Sequence, residues 1–143
     1  MPRTISAVLL AATVLALGAC GSDDTTTTKT ATGSDRQQIL TLIRAYNDAY
    51  VVNDYEKACS LMSKEAQEQY VASSATTQKA GTCPKALTAS LGKLPAAQIA
   101  IIKKLRFKVE SLDGDRGTVN VIGGDGNPSN VVKVDGQWLM GPD

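Results

Sequence analysis

Hydrophobic positions follow one period in the middle of this chain and another towards its end. Ile39, Leu42, Ile43, Tyr46, Ala49 and Tyr50 recur at three- and four-residue intervals, while Gln38, Thr41, Arg44 and Asp48 fall mostly on the other side. That spacing predicts an amphipathic helix over about 35–52, and Ser34 with Gln37 has the Ser-x-x-Gln form of a capping box at its start. Asn53-Asp54 interrupts the pattern, and Asp54 is a good N-cap for a short helix running to Leu61. Ser63 suits the cap of another helix, with Ala66 and Tyr70 on one side. Residues 73–82 are small and polar and read as a loop. Pro84 suits the first turn of a further helix, in which Leu87, Leu91 and Leu94 stand at helical spacing.

From Ile99 onward the period falls to two. Leu105, Phe107 and Val109 alternate with Arg106, Lys108 and Glu110, the pattern of a half-buried strand. Asp113-Gly114-Asp115 is a hairpin turn, Val119 and Val121 mark a second strand, and 123–128 is a loop. A third strand is expected over 131–134, a turn at Asp135-Gly136, and a fourth strand over 137–140. Asp-Gly between alternating runs is a strong hairpin signal, and strands joined by short turns are antiparallel neighbours. Helices first and an antiparallel sheet second give the α+β class, with helices segregated to one face of about four strands.

The N-terminus has a different organisation. Arg3 precedes an apolar run over 7–17, about 11 residues, which fits a signal peptide and is too short to span a bilayer. Leu17-Gly18-Ala19-Cys20 closes it. These four residues resemble the lipobox of bacterial prolipoprotein signals. The resemblance implies cleavage before Cys20 and acylation of its thiol. An ordinary secretory signal cut after Ala19, with no lipid, is the alternative. The stretch GSDDTTTTKTATG over 21–33 holds no large apolar residue, so it cannot bury a core and is expected to be a disordered tether, holding the folded part of the chain roughly 20 Å from the lipid. The expected organisation is therefore a leader over 1–19, a lipidated cysteine and tether over 20–33, and one domain over 34–143. About 110 residues make one compact domain and are too few for two.

Charge and cysteine content narrow the picture further. The whole chain carries +1, and removing Arg3 with the leader leaves 14 Lys+Arg against 14 Asp+Glu. That balance gives no electrostatic case for nucleic acid or for a strongly acidic surface. The one basic patch runs over 103–108, where charges alternate with apolar residues, and is expected to be the wet face of a strand. Once Cys20 is lipidated, Cys59 and Cys83 remain as a pair. An oxidising compartment would join them, adding roughly 3 kcal/mol by restricting the unfolded chain; two buried free thiols are the alternative. Neither lies in a Cys-x-x-Cys motif, so such a bond reads as structural.

The order of elements, with Tyr46-x-x-x-Tyr50, Asn53-Asp54-Tyr55-Glu56-Lys57-Ala58-Cys59, Leu61-Met62-Ser63, Cys83 and the ending Val134-Asp135-Gly136-Gln137-Trp138, resembles small bacterial lipoproteins carrying a nuclear transport factor 2-like domain, also described as a cystatin-like roll. The resemblance covers about the last 110 residues. It implies a long N-terminal helix laid across a curved antiparallel sheet, a pocket between them, and dimerisation through the sheet in many members. Tyr46, Tyr50, Phe107 and Trp138 are the residues expected to border such a pocket, although packing alone explains the two tyrosines, and a core plug is the simpler role for Trp138.

Catalytic chemistry finds little footing. The chain contains no histidine, which excludes a Ser-His-Asp triad, a Cys-His pair and a His-ligated zinc site. Asp113-Gly-Asp115 and Asp125-Gly-Asn127 lack the remaining oxygen ligands and the twelfth-position glutamate of an EF-hand. Gly123-Gly124-Asp125-Gly126 has no Lys-Ser/Thr behind it to open a phosphate-binding helix. Members of the resembled superfamily include isomerases and dehydratases that use pocket acids and tyrosines, but Asp48 should face water and Asp54 caps a helix. The expectation is a lipoprotein on the extracytoplasmic face of the cell membrane, held there by lipid on Cys20. Its domain would be non-catalytic and without cofactor, binding a small apolar ligand or an envelope protein. An isomerase- or dehydratase-like enzyme and a structural interaction module are the two alternatives.

Overall fold

Two short turns set the register of the sheet. In the computed structural model, which describes residues 33–124 and 126–143, strand β1 (Phe107–Asp113) folds back on β2 (Arg116–Val121) through Gly114 and Asp115. Strand β3 (Ser129–Val134) folds back on β4 (Gln137–Met140) through Asp135 and Gly136. Asp135 and Gly136 both have positive φ, 50° and 81°, as a tight hairpin turn of matching twist requires. The sheet is an open antiparallel meander in the order β1-β2-β3-β4. A bulge between Val109 and Ser111 shifts the register of β1. Gly117 pairs with Leu112 there, and any Cβ at 117 would lie 2.9 Å from both Leu112 Cδ1 and the Ser111 carbonyl.

Neither outer edge of the sheet is left bare. Beside β4, the Ser63 N–H donates to the Met140 carbonyl and the Met140 N–H to the Leu61 carbonyl, both at 2.8 Å. Residues 61–63 thus extend the ladder by one short parallel step. Beside β1, Arg36 donates from Nη1 to the Val109 carbonyl at 3.0 Å, filling an acceptor that an edge strand would otherwise offer to another chain.

Among the described residues, six helices precede the sheet: α1 (Gly33–Val51), α2 (Tyr55–Ser60), α3 (Lys64–Ala72), α4 (Ala75–Ala80), α5 (Cys83–Leu91) and α6 (Ala96–Ile102). α1 packs on the sheet, burying Ile39, Leu42, Ile43 and Ala49 against a core that includes Val119, Val131, Trp138 and Met140. α2 and α5 close the far side with Ala58, Cys59, Cys83 and Leu87. Asp54 caps α2 by accepting the Lys57 N–H at 2.9 Å, and Ser63 caps α3 by accepting the Ala66 N–H at 3.1 Å. Cys59 and Cys83 form a disulfide with Cα atoms 6.0 Å apart, stapling α2 to the first turn of α5. Among the described residues, no helix is long and apolar enough to cross a membrane.

The fold departs from the sequence reading at five places. Ser34 lies inside α1, where its Oγ accepts from Gln38 Nε2, so it does not open the expected capping box. The expected loop over 73–82 contains α4. Ser74 and Thr77 form a reciprocal capping box, Thr77 is buried, and Gly81 ends the helix in the left-handed conformation. The helix carrying Leu87 stops at Leu91, and Leu94 is buried in the connection after it. Ile99 belongs to α6, a helix placed between α5 and the sheet, and not to the start of the strand region. Lys103 caps α6 and β1 begins only at Phe107, so most of the basic patch lies in a turn and only Lys108 stands on the strand. The leader, Cys20, the tether up to residue 32 and Asp125 lie outside the described residues.

Candidate functional site

Aromatic and polar groups come together where α1, α3 and the ends of β3 and β4 meet. A cleft of about 340 Å³ there is bordered by Tyr46, Met62, Gln69, Tyr70, Asn130 and Asp143, among others. Ala66, Met62 and Met140 are buried and make its apolar side. The segment after β4 is bound down over it. The Asp143 N–H donates to Gln69 Oε1 at 2.8 Å, and Gln69 Nε2 donates back to the Asp143 main-chain oxygen at 3.1 Å. Asn130 Nδ2 donates to the Pro142 carbonyl at 2.9 Å. A neighbouring hollow of about 630 Å³ shares Gln69, Asn130 and Asp143 and adds Glu65, Asp113 and Arg116. Both openings face solvent; the larger carries charges of both signs, and the smaller has Asp143 as its one charged lining residue.

Three tyrosines form a ladder along the buried side of α1. The rings of Tyr46 and Tyr50 lie 4.8 Å apart, and the Tyr55 ring meets Tyr50 edge-on at 5.9 Å. The hydroxyls of Tyr46 and Tyr50 hydrogen-bond to each other at 2.9 Å, and the Tyr46 hydroxyl also approaches the Met62 thioether at 3.9 Å. Tyr55 donates to the Gly92 carbonyl. Burial pushes all three phenols above their ordinary pKa, because the phenolate would lose its water. For Tyr46 the bond from Tyr50 acts in the opposite sense and is outweighed; for Tyr50 the neighbouring Tyr46 adds to the rise. These groups are therefore protonated at neutral pH. They serve as hydrogen-bond partners and packing surface, not as bases.

The four residues expected to border one pocket are divided among different environments. Tyr46 borders the 340 Å³ cleft. Tyr50 and Phe107 are half-buried against the core. Trp138 is buried at the other end of α1, where its ring edge borders a separate shallow hollow with Thr41, Ala45 and Gln137. Its indole N–H donates to Asp35 Oδ1 at 3.0 Å, and Lys133 Nζ donates to the same oxygen at 2.7 Å while lying 5.5 Å from the Trp138 ring centre. Asp48 is exposed and Asp54 is occupied as the α2 cap.

Asp35 is the residue that the sequence reading passed over. It looks like an ordinary acidic residue in a first helical turn, yet it joins α1 to β3 and β4. A signal for it existed in the sequence. Lys133 stands two residues from buried Val131 and directly opposite buried Trp138, so its charge points where the strand alternation calls for an apolar group, and an inward cation needs an anion. With the Asp35 side chain 17% exposed and that of Lys133 21%, the pair is largely withdrawn from solvent.

Among the described residues no Asp or Glu is fully buried, and no group of three or more His, Cys, Asp or Glu side chains is placed to hold a metal ion. Every buried side-chain nitrogen and oxygen among them has a hydrogen-bond partner. Asp113-Gly114-Asp115 forms the β1–β2 hairpin turn and gathers no further oxygen ligands. Comparison with family models, with curated proteins and with solved structures returns no match.

Proposed function

We propose that this chain is an extracytoplasmic lipoprotein, cut before Cys20 and held in the cell membrane by acyl chains on that residue, with a non-catalytic interaction module of nuclear transport factor 2-like architecture at the end of its tether. The observation that carries the interaction reading is that the side chains expected to line a pocket between α1 and the sheet are engaged with protein partners instead. Tyr46 and Tyr50 satisfy each other's hydroxyls, and Trp138 is sealed against Asp35. That engagement, with apolar side chains left on the surface, fits a module that meets its partner on the outside. Ile101 is 62% exposed and Ile122 50% exposed. The layered order of α1 over an antiparallel meander supports the fold kinship. The Leu17-Gly18-Ala19-Cys20 motif supports the anchor.

A second reading, a small apolar ligand in the cleft beside Tyr46, Met62 and Met140, has the apolar side of that cleft in its favour. Two measurements separate these readings. Metabolic labelling with a clickable fatty acid is expected to mark the chain and to leave Cys20→Ala unmarked; an unlabelled wild-type chain overturns the anchor. Native mass spectrometry of the chain purified from its host is expected to give the mass of the acylated polypeptide alone. A stoichiometric small molecule that is lost from Tyr46→Trp, in which the indole fills the cleft, replaces the interaction reading with the ligand reading.

A further inference from the structure

Near-neutral net charge conceals a strong segregation of charge. Between residues 69 and 109 the chain contains no Asp or Glu, although 14 occur in the whole sequence. The same stretch holds Lys79, Lys85 and Lys93, then Lys103, Lys104, Arg106 and Lys108. The last four come after α6, a helix of sequence AAQIAII that buries none of its residues. Ile101 stands 62% exposed on α6. The Ile122 N–H donates to the Arg106 carbonyl at 2.7 Å, which sets a second half-exposed isoleucine directly beside the basic turn.

We infer that α6 and the turn after it form a second membrane contact, in which Ile101 and Ile122 enter the edge of a bilayer while Lys103, Lys104 and Arg106 meet anionic lipid headgroups. The local charges favour this partner. Lys108 is already engaged by Glu110 at 3.5 Å, and Glu110 also accepts from Asn120. Among the described residues, Lys103, Lys104 and Arg106 are all exposed and in no ion pair. A second copy of the chain docked on the same face would set these cations against their duplicates, which is repulsive. An anionic membrane surface offers an apolar layer and negative charge together, the combination that interfacial apolar-basic elements use.

The location of the domain strengthens the argument, and this step rests on the proposed acylation of Cys20. The 13 residues between Cys20 and Ser34 reach at most about 45 Å when fully extended. Held so close to the bilayer, a surface too weak to bind from free solution is occupied, because its effective concentration is high.

The test removes the anchor from the measurement. The chain from residue 20 onward, with Cys20→Ser, retains every described residue and carries no lipid. It is expected to co-sediment with phosphatidylcholine vesicles containing phosphatidylglycerol, not with phosphatidylcholine alone, and to be released by salt. Lys103→Glu with Lys104→Glu is expected to weaken that binding at least tenfold, since each basic residue near an anionic surface contributes about fivefold and two are lost. Ile101→Ser is expected to weaken it while leaving the thermal unfolding midpoint unchanged. Binding that is absent, equal on both vesicle types, or indifferent to the lysine substitutions overturns the proposal. So does sedimentation equilibrium showing a dimer that Ile101→Ser dissociates, or selective binding to an acidic protein with none to vesicles. Failure of the anchor itself reads out elsewhere, as loss of fatty-acid label at Cys20 with vesicle binding intact.

Discussion

α5 and α6 are both short, both apolar and adjacent in sequence, yet only one belongs to the core. α5 buries Cys83, Ala86 and Leu87, begins with Pro84 in its first turn and is tied to α2 by the disulfide. α6 carries three isoleucines in seven residues and buries none of them. Hydrophobicity creates a tendency to leave water, but a helix is buried only where another surface is left to receive it. In the folded chain the apolar side of α1 is covered by the sheet and by α2. α6 is left at the edge of the domain beside the free end of β1. The contrast separates a region whose apolar residues stabilise the fold from one whose apolar residues are available to a partner.

The sharpest way to break that contrast is to truncate one residue of each kind. Leu87 is fully buried, so Leu87→Ala should cost about 2–5 kcal/mol in urea unfolding, the sum of lost transfer energy and the cavity left behind. Ile101→Ala should lie within about 0.5 kcal/mol of the parent. Equal losses would show α6 to be part of the core after all. Reducing the disulfide, or making Cys59→Ser with Cys83→Ser, should remove about 3 kcal/mol through the freed unfolded chain, seen as a lower denaturation midpoint in the presence of dithiothreitol. Asp35→Ala should cost about 1–3 kcal/mol, because it leaves the half-buried Lys133 ammonium and the buried Trp138 N–H without this acceptor. Asp35→Asn, which keeps an acceptor for the indole, should recover part of that loss.

A pH axis sharpens the comparison without mutation. Tyr46, Tyr50 and Tyr55 have folded-state pKa values raised by burial above the usual value of 10.0. Their contribution to stability is therefore fully present below pH 10 and is lost as the pH climbs towards the raised values, because the unfolded chain releases phenolic protons that the folded chain retains. Absorbance at 295 nm should show these three phenols resisting ionisation until the alkaline unfolding transition, and then ionising together with it. A smooth titration of these three phenols near pH 10 in the folded protein would show the ladder to be open to water. Smallest of the expected losses of stability is that of Ser74→Ala, at about 1 kcal/mol for the loss of the α4 cap, measurable as a modest fall in the melting temperature.

Much of the architecture is legible wherever a local rule acts alone. Asp54 and Ser63 cap the helices expected of them, and Asp135-Gly136 makes the two-residue turn that its composition favours. The cysteine count foretold the Cys59–Cys83 pairing that the structure contains. Errors cluster where a local signal was weak or competed with another. Residues 73–82 look like a loop because they lack large apolar side chains, yet Ser74 and Thr77 form a capping box whose methyl-bearing partner is buried. Ile99, Ile101 and Ile102 suggest a strand through β-branching, but Pro95 is a good helix entry and the turn at residues 103–106 restarts the backbone before β1. The expected pocket failed to gather its four residues because period alone places a side chain on a face. It does not say which point along that face it occupies, and Tyr46 and Trp138 lie at different points along α1.

The sequence by itself determined the α+β class, the antiparallel hairpins and the helix caps, because each depends on residues within a few positions of one another. Only the tertiary structure decided that Asp35 would receive both Trp138 and Lys133, about a hundred residues away, and that α6 would remain uncovered beside a basic turn. Those outcomes depend on which surfaces are already occupied when the chain closes, and such competition among distant segments leaves no local trace in the order of residues.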